Sequence, residues 1–345
     1  MSARVLDGRE VAAALKDELR ADVAGRSLEL AIVRGGGDEA AEMYARRLGA
    51  LCEELGVGSR VVEVPDGASS EDAIALVSEL NADPAVTGIL VQLPLPAGLD
   101  DTAVIAAVDP AKDVDGVNPE NAGRLYLGLP ALAPATPLAV MELLRRYDIA
   151  IEGRRAVVIG RSNIAGKPLA LLLLREHATV TVCHSRTADL GAVVREGELV
   201  VAAVGRPGLV RGDMVAPGAV VVDVGTNVVD GKLVGDVAYD EVAEVASAVI
   251  TLEQRTSGAN HAIAGRIALV PGAAIPAGAV VTIVDSAERR GGKCGRSSKR
   301  GAGHVGRIVC RPGCSVMSVM THMLVGFAGT ATGGGCRRDG QGGRD

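Results

Sequence analysis

The stretch RRAVVIGRSNIAGKP, residues 154–168, decides the fold class of this chain. Its apolar first half is typical of a buried β-strand, and its second half passes through a loop into a helix. In such an arrangement the helix N-terminus offers free N–H groups and the positive end of its dipole to phosphate. We therefore predict that Gly160, Ser162 and Gly166 form a pyrophosphate-binding loop. The alternative interpretation is an ordinary turn between a strand and a helix.

Strands and helices alternate on both sides of this loop, as expected for a parallel sheet with helices on both faces. Strands are predicted at residues 28–33, 59–64, 86–92, 154–160, 178–183, 199–205 and 219–225. Helices are predicted at residues 9–23, 38–56, 70–81, 136–148, 167–176 and 188–194. Seven prolines fall between residues 94 and 137, and this segment is predicted to form loops.

The pattern divides the chain into three parts. We predict an α/β domain over residues 1–135 and a second one over residues 136–250, the latter a Rossmann-like, doubly wound parallel sheet. The helix at 136–148 would bridge the two domains. Residues 251–345 are predicted to be an aberrant or disordered tail, because they are rich in Gly, Arg and Cys and lack a sustained amphipathic pattern.

The strand predicted at 178–183 bears on the identity of the nucleotide. It is followed by His184, Ser185 and Arg186, where NAD-binding proteins usually carry an acid for the ribose 2′-hydroxyl. Arg161, Ser185 and Arg186 could instead bind a 2′-phosphate, which favours NADP over NAD. The alternative is that both arginines are ordinary solvated surface residues.

Three further residues in the first domain are candidates for chemistry. Gln92 lies at the end of a predicted strand, where open α/β sheets place ligand contacts. Asp115 lies in the acidic turn KDVDG, residues 112–116, and could equally be a mere turn former. Tyr44 starts the apolar helical stripe completed by Leu48, Leu51 and Leu55, which is typical of a core helix.

Several long motifs together resemble the bifunctional methylenetetrahydrofolate dehydrogenase/methenyltetrahydrofolate cyclohydrolase family. They are VQLPLP (91–96), KDVDGVNPENAGRL (112–125), GRSNIAGKP (160–168), TVTVCHSRT (179–187) and AVGRPGLVRGDMVAPGAVVVDVGTN (203–227). The resemblance covers roughly residues 3–250. It implies two α/β domains with a cleft between them and a homodimer formed through the nucleotide-binding domains.

The resemblance also implies an activity. Members oxidise 5,10-methylenetetrahydrofolate with NADP and hydrolyse the methenyl product to 10-formyltetrahydrofolate, a part of one-carbon metabolism that serves purine and amino-acid biosynthesis. The family pattern puts the substrate-stacking tyrosine at Tyr44, the active-site glutamine at Gln92 and the pterin-binding carboxylate at Asp115. Gly205 and Thr226 fall in its cofactor motifs. Two alternatives are a folate- and NADP-binding homologue with little turnover, and a Rossmann oxidoreductase for another small substrate.

The chain departs from the family pattern in the same helix. The family motif is Tyr-x-x-x-Lys, with a serine three residues before the tyrosine; here Leu48 replaces the lysine and Ala41 the serine. Arg47 lies near the Tyr44 face, but a guanidinium cannot act as a base. We therefore predict weak or absent cyclohydrolase activity. Slower dehydrogenation is a further consequence to test.

Composition and charge add expectations about location and partners. No apolar run reaches the length that spans a bilayer, and the N-terminus does not resemble a signal peptide, so we expect a cytoplasmic protein without a membrane partner. Residues 286–345 carry a net charge of +8 in a chain of net charge -6. We do not expect nucleic-acid binding, because basic and aromatic residues do not alternate there.

The C-terminal tail departs from the family most strongly. Val270-Pro271-Gly272 is the one plausible remnant of a family loop, and a frameshift is the preferred explanation for the remainder. A metal site is the weaker alternative, because the tail contains only one close pair of cysteines. We therefore expect no metal. Its ligands would be Cys294, His304, Cys310, Cys314 and Cys336.

Overall fold

The computed structural model describes residues 3–251 apart from Leu6, Asp38 and Gly231. The predicted tail begins at Thr251, which is the last residue of a strand; the rest of the tail, its candidate metal ligands and the Val270-Pro271-Gly272 remnant lie outside the described residues. No helix among the described residues is long and apolar enough to cross a membrane.

Strands and helices alternate along the chain as predicted. The strands are β1 Arg4–Val5, β2 Glu29–Gly35, β3 Gly58–Val64, β4 Gly88–Val91, β5 Arg155–Ile159, β6 Thr179–Cys183, β7 Leu199–Ala202, β8 Val220–Asp223, β9 Asn227–Val229, β10 Lys232–Val234 and β11 Ala248–Thr251. The helices are α1 Gly8–Val23, α2 Glu39–Leu55, α3 Ser70–Ala82, α4 Asp101–Ala107, α5 Pro119–Tyr126, α6 Ala135–Arg146, α7 Gly166–Arg175, α8 Leu190–Arg195 and α9 Tyr239–Val245.

Strands β3, β2 and β4 form a three-stranded parallel sheet with β2 in the centre. Its two faces are both covered, because alternate residues of a strand point to opposite sides. Ala31 and Val33 pack in the apolar cluster that contains residues of α3 and α4. Leu30 and Ile32 pack in a second cluster, which contains residues of α1, α2 and α6.

The six-stranded sheet has the order β1-β11-β8-β7-β5-β6, and each of its adjacent strand pairs is parallel. Ala156 and Val158 of β5 face the cluster that holds residues of α6 and α7. Val157 and Ile159 face the opposite cluster, with residues of α8 and α9. This confirms the predicted doubly wound sheet. Strand order reverses between β5 and β7, so the carboxyl ends of these strands form the usual ligand crevice.

The proline-rich segment, which was predicted to form loops, also contains the helices α4 and α5. Asp100 caps α4 by accepting from the N–H groups of Thr102 and Ala103. Asn118 caps α5, and Pro119 is its first residue. A proline at that position costs no hydrogen bond, because the first N–H groups of a helix have no partner within it.

Candidate active site

The loop after β5 has the close backbone contacts expected of a phosphate cradle. Gly160 has φ +125°, and a Cβ there would overlap the carbonyl oxygen of Ala203, which follows β7. A Cβ on Gly166 would overlap the carbonyl oxygen of Gly160. Both glycines are therefore required by the packing of the loop between β5 and α7. The structure places the loop at the reversal point of the sheet, where dinucleotides bind in this architecture.

The hydroxyl of Ser162 is used within the loop itself. Its Oγ accepts from the N–H groups of Ala165 at 3.1 Å and Gly166 at 3.4 Å, the residues at which the loop enters α7. Ser162 therefore stabilises the turn that leads into the helix. Its predicted contact with phosphate stays a prediction.

The candidate 2′-phosphate residues follow adjacent strands. Ile159 of β5 is in register with Cys183 of β6, so Arg161 and Ser185 each lie two residues beyond a paired position. The turn after β6 is fixed by Thr187 Oγ1, which accepts from His184 N at 2.8 Å. Arg161, Ser185 and Arg186 are all exposed. The structure thus brings the three exposed residues to the carboxyl end of the same pair of strands, and their role stays a prediction.

Gly205 and Thr226 lie in the loops after β7 and β8, at the same end of the sheet. Gly205 has φ +65°, a conformation that favours glycine, and Thr226 is exposed. Two buried carboxylates next to these loops, Asp223 and Asp236, were not identified from the sequence.

Gln92 joins the end of β4 to the first turns of α2. Its backbone N–H donates to Val33 O at 2.8 Å, and its Nε2 donates to Ala41 O at 3.0 Å. Its Oε1 is buried and has no hydrogen-bond partner among the described residues. A buried acceptor without a partner is costly, and such atoms occur where a ligand can satisfy them. Gln92 is therefore held in place with one acceptor available next to α2.

The acidic turn separates into structural residues and one candidate ligand. Lys112 Nζ donates to the carbonyl oxygens of Leu80, Asn81 and Asp83, at 3.2, 2.7 and 2.9 Å, and so caps the C-terminal end of α3. Asp113 is 3 % exposed and fixes the start of α5. It accepts from Asn118 N at 2.8 Å and from Asn121 Nδ2 at 2.9 Å.

Asp115 is the carboxyl group of this turn that can exchange protons near neutral pH. Burial, reinforced by the charge of Asp113, raises its pKa to about 7. The turn itself depends on Gly116, which has φ +60° and would place a Cβ 2.6 Å from the backbone of Ala133. The geometry of the turn thus requires the glycine, and Asp115 has electrostatic properties beyond those of a turn former.

Tyr44 and Asp115 lie close enough together for the charge of the carboxylate to act on the tyrosine hydroxyl. Burial, and next the charge of Asp115, raise the pKa of the Tyr44 hydroxyl to about 12, so it stays protonated at neutral pH. Tyr44 is 38 % exposed, which leaves part of its ring open to a ligand. The aromatic ring can stack on a flat ring of a ligand, and the carboxylate beside it can accept hydrogen bonds from the N–H groups of that ring.

Leu48 lies one turn further along α2 and is part of the core. It is 5 % exposed and belongs to the apolar cluster that includes Ala45, Cys52 and Leu55. Arg47 is exposed. The predicted stripe is therefore a real core stripe from Leu48 onward, with Tyr44 at its open end. Among the described residues no group of three or more His, Cys, Asp or Glu could hold a metal ion.

Two family models match the chain. Residues 6–115 match the catalytic domain of tetrahydrofolate dehydrogenase/cyclohydrolase, and residues 134–259 match its NAD(P)-binding domain. Among curated proteins, the bifunctional protein FolD of Chloroflexus aggregans is 51 % identical over 256 residues, covering 72 % of this chain and 90 % of the relative. That of Acidiphilium cryptum is 53 % identical with the same coverage.

Solved structures agree with the sequence matches. The bifunctional FolD enzyme from Campylobacter jejuni has a TM-score of 0.76 and 38 % identity, covering 79 % of this chain and 99 % of that one. The Trypanosoma brucei dehydrogenase-cyclohydrolase, solved with NADP cofactor and inhibitor, has a TM-score of 0.72 and 37 % identity, covering 77 % and 95 %. The resemblance seen in the motifs is thereby confirmed, and this chain belongs to the tetrahydrofolate dehydrogenase/cyclohydrolase family.

Proposed function

We propose that this chain oxidises 5,10-methylenetetrahydrofolate to 5,10-methenyltetrahydrofolate with NADP, and that it hydrolyses the product to 10-formyltetrahydrofolate slowly or not at all. Family membership supports both reactions. The observation that carries the asymmetry is the buried Leu48, which replaces the lysine of the family motif one turn from Tyr44.

The residues present fit NADP. The glycine cradle after β5 lets the backbone approach a pyrophosphate, and three exposed residues at the neighbouring edge, Arg161, Ser185 and Arg186, can bind a 2′-phosphate. When bound, the cofactor accepts the hydride that leaves the bridging carbon of the substrate.

Oxidation requires mainly positioning from the protein. The folate nitrogens can expel the hydride themselves, so the site must align the substrate and tolerate a forming cation. The ring of Tyr44 can stack on the pterin and attract that cation, an effect of about 0.5–2 kcal/mol. Ionised Asp115 can accept from the pterin N–H groups, and the free Oε1 of Gln92 can accept one further hydrogen bond.

Hydrolysis requires a group that exchanges protons with water near the methenyl carbon. Leu48 cannot do so, and a guanidinium such as that of Arg47 does not serve as a base. Asp115 has a pKa near neutrality, but in this proposal its carboxylate accepts hydrogen bonds from the pterin N–H groups and does not act on water. The site therefore supports the hydride transfer better than the attack of water.

We also propose that the chain forms a homodimer through its nucleotide-binding domain. Strand β6 is the last strand of the six-stranded sheet among the described residues, so its outer edge can pair with another strand. Val182 on β6 and Leu174 on α7 are 40 % and 58 % exposed. Burying these apolar side chains in a partner would favour the dimer.

We also propose the boundaries of the two domains and the location of the protein in the cell. The two sheets support domains at residues 1–135 and 136–250, although β1 from the N-terminus pairs with β11 in the second sheet. We place the protein in the cytoplasm, which the free thiols of Cys52 and Cys183 support. Its partners in this proposal are tetrahydrofolate substrates and no nucleic acid.

The test measures both reactions on one purified sample. NADPH formation from 5,10-methylenetetrahydrofolate and loss of added 5,10-methenyltetrahydrofolate are each followed by absorbance. The proposal expects NADP-dependent oxidation, and methenyl loss close to the rate without enzyme. Absence of NADPH formation would point to a binding protein without turnover.

A further inference from the structure

Two buried carboxylates lie behind the loops predicted to bind the cofactor. Asp223 is the last residue of β8, and Asp236 follows β10 two residues after its end; they are 2 % and 0 % exposed. Burial of a carboxylate is costly unless hydrogen-bond donors surround it. Neither residue takes part in the chemistry proposed above, so the burial of these two carboxylates needs another explanation.

Asp236 is surrounded by the backbone of the loop after β7. Its Oδ2 accepts from the N–H groups of Val204 at 2.6 Å and Gly205 at 3.0 Å, and its Oδ1 accepts from Arg206 N at 2.6 Å. Three consecutive amides thus converge on one anion, the arrangement of a backbone nest. The conformation of this loop, including the positive φ of Gly205, is tied to the charge of Asp236.

The same carboxylate also fixes the loop after β8. Asn227 Nδ2 donates to Asp236 Oδ1 at 3.0 Å and to Val234 O at 3.2 Å. A Cβ on Gly225 would overlap the carboxyl group of Asp236, so this position must be glycine for the loop to approach. Thr226 therefore lies between two residues that both contact Asp236.

Asp223 supports this arrangement from the other side. It accepts from Asp236 N at 2.9 Å, Val237 N at 3.1 Å and Gly225 N at 3.0 Å. Burial raises the pKa of Asp223 to about 6, against the effect of these three backbone hydrogen bonds, which lower it. Asp223 thus holds the backbone at Asp236 and Val237 in place.

We infer that Asp236 is a positioning residue for NADP, which holds the two cofactor loops at Gly205 and Thr226 in their binding conformation without touching the cofactor. This inference rests on the proposed function. A positioning role for Asp236 explains why a negative charge is buried at the cofactor end of the sheet, where a bound dinucleotide is itself negative.

The test uses Asp236→Asn, which keeps the shape of the side chain but turns an NH₂ group toward backbone N–H donors. NADP binding is measured by calorimetry on the full chain, and the KM values for NADP and for methylenetetrahydrofolate are measured separately. We expect roughly ten-fold weaker NADP binding and a similar rise in the KM for NADP, with a change below about two-fold in the KM for folate. Asn227→Ala should act in the same direction with a smaller effect.

The control is Asp213→Asn, which changes an exposed carboxylate of the same domain that pairs with Arg211. It should leave NADP binding unchanged. Equal NADP affinity in wild type and a folded Asp236→Asn variant would overturn the inference, as would equal rises in both KM values. If Asp236→Asn does not fold, unchanged affinity in Asn227→Ala overturns it. A wild-type chain that does not bind NADP overturns the proposed function first.

Discussion

Replacing Leu48 by lysine restores the family motif at the position where this chain departs from it. The change has a cost that follows from the structure, because Leu48 is 5 % exposed in the apolar cluster of α1, α2 and α6. Loss of leucine burial costs about 1.5–3 kcal/mol. Each pKa unit by which the site depresses the new ammonium group costs about 1.4 kcal/mol more. We expect Leu48→Lys to lower the free energy of unfolding by about 3–6 kcal/mol, a large part of the usual 5–15 kcal/mol.

The stability cost has a characteristic pH dependence. If the pKa of the introduced lysine is depressed in the folded state, the unfolded chain binds more protons between that pKa and the ordinary value of about 10.4. Stability then rises with pH through this window, so the deficit of Leu48→Lys is largest at neutral pH and shrinks toward pH 10. Leu48→Met, similar in volume and apolar, should cost less than about 1.5 kcal/mol and show no such dependence.

The catalytic effect is measured on the same three proteins. We expect Leu48→Lys to hydrolyse added methenyltetrahydrofolate at least about ten-fold faster than wild type, since general acid–base groups contribute about 10²–10⁴-fold. Leu48→Met should behave as wild type. Denaturant unfolding from pH 7 to pH 10 and absorbance loss of the methenyl substrate are the two assays. Fast hydrolysis by the wild type, or an unchanged hydrolysis rate in a folded Leu48→Lys variant, would show that Leu48 is not the reason for slow hydrolysis.

Two further substitutions test the two halves of the site. Asp115→Asn removes a carboxyl whose pKa is raised to about 7, so the wild type loses stability relative to the variant as pH rises from about 4 to 7. We expect the variant to be about 1–3 kcal/mol more stable at pH 8 by denaturant unfolding, and to bind folate more weakly. Equal stability of the two proteins at pH 8 would contradict the raised pKa of Asp115. Gly160→Ala should cost about 2 kcal/mol or more and weaken NADP binding on the order of ten-fold, because its Cβ would overlap Ala203 O. Gly153→Ala is its control: Gly153 also has positive φ, +75°, but open space around it, so NADP binding should not change.

The alternation of strands and helices was predictable because both carry local signals, namely apolar runs and helical periodicity. The loop at Gly160 and Gly166 was predictable for the same reason. The helices α4 and α5 were not predictable, because proline is common both in loops and at the first position of a helix, where Pro119 lies. The pairing of β1 with β11 joins residues more than two hundred positions apart and leaves no local trace.

The site shows the same division between local and distant information. The stripe on α2 predicted both the burial of Leu48 and the position of Tyr44 at its end. The sequence could not separate the roles of Lys112, Asp113 and Asp115, because these depend on what each side chain meets after folding. Asp236 carried no signal for the same reason, since the three backbone N–H groups that donate to its carboxylate lie about thirty residues earlier in the chain.

A single progress curve with 5,10-methylenetetrahydrofolate and NADP, in which NADPH and methenyltetrahydrofolate are followed together, separates the two activities. We expect the two products to accumulate in equal amounts, and the methenyl product then to decay at the rate seen without enzyme. Formation of NADPH without accumulation of the methenyl product would instead show an intact cyclohydrolase despite Leu48.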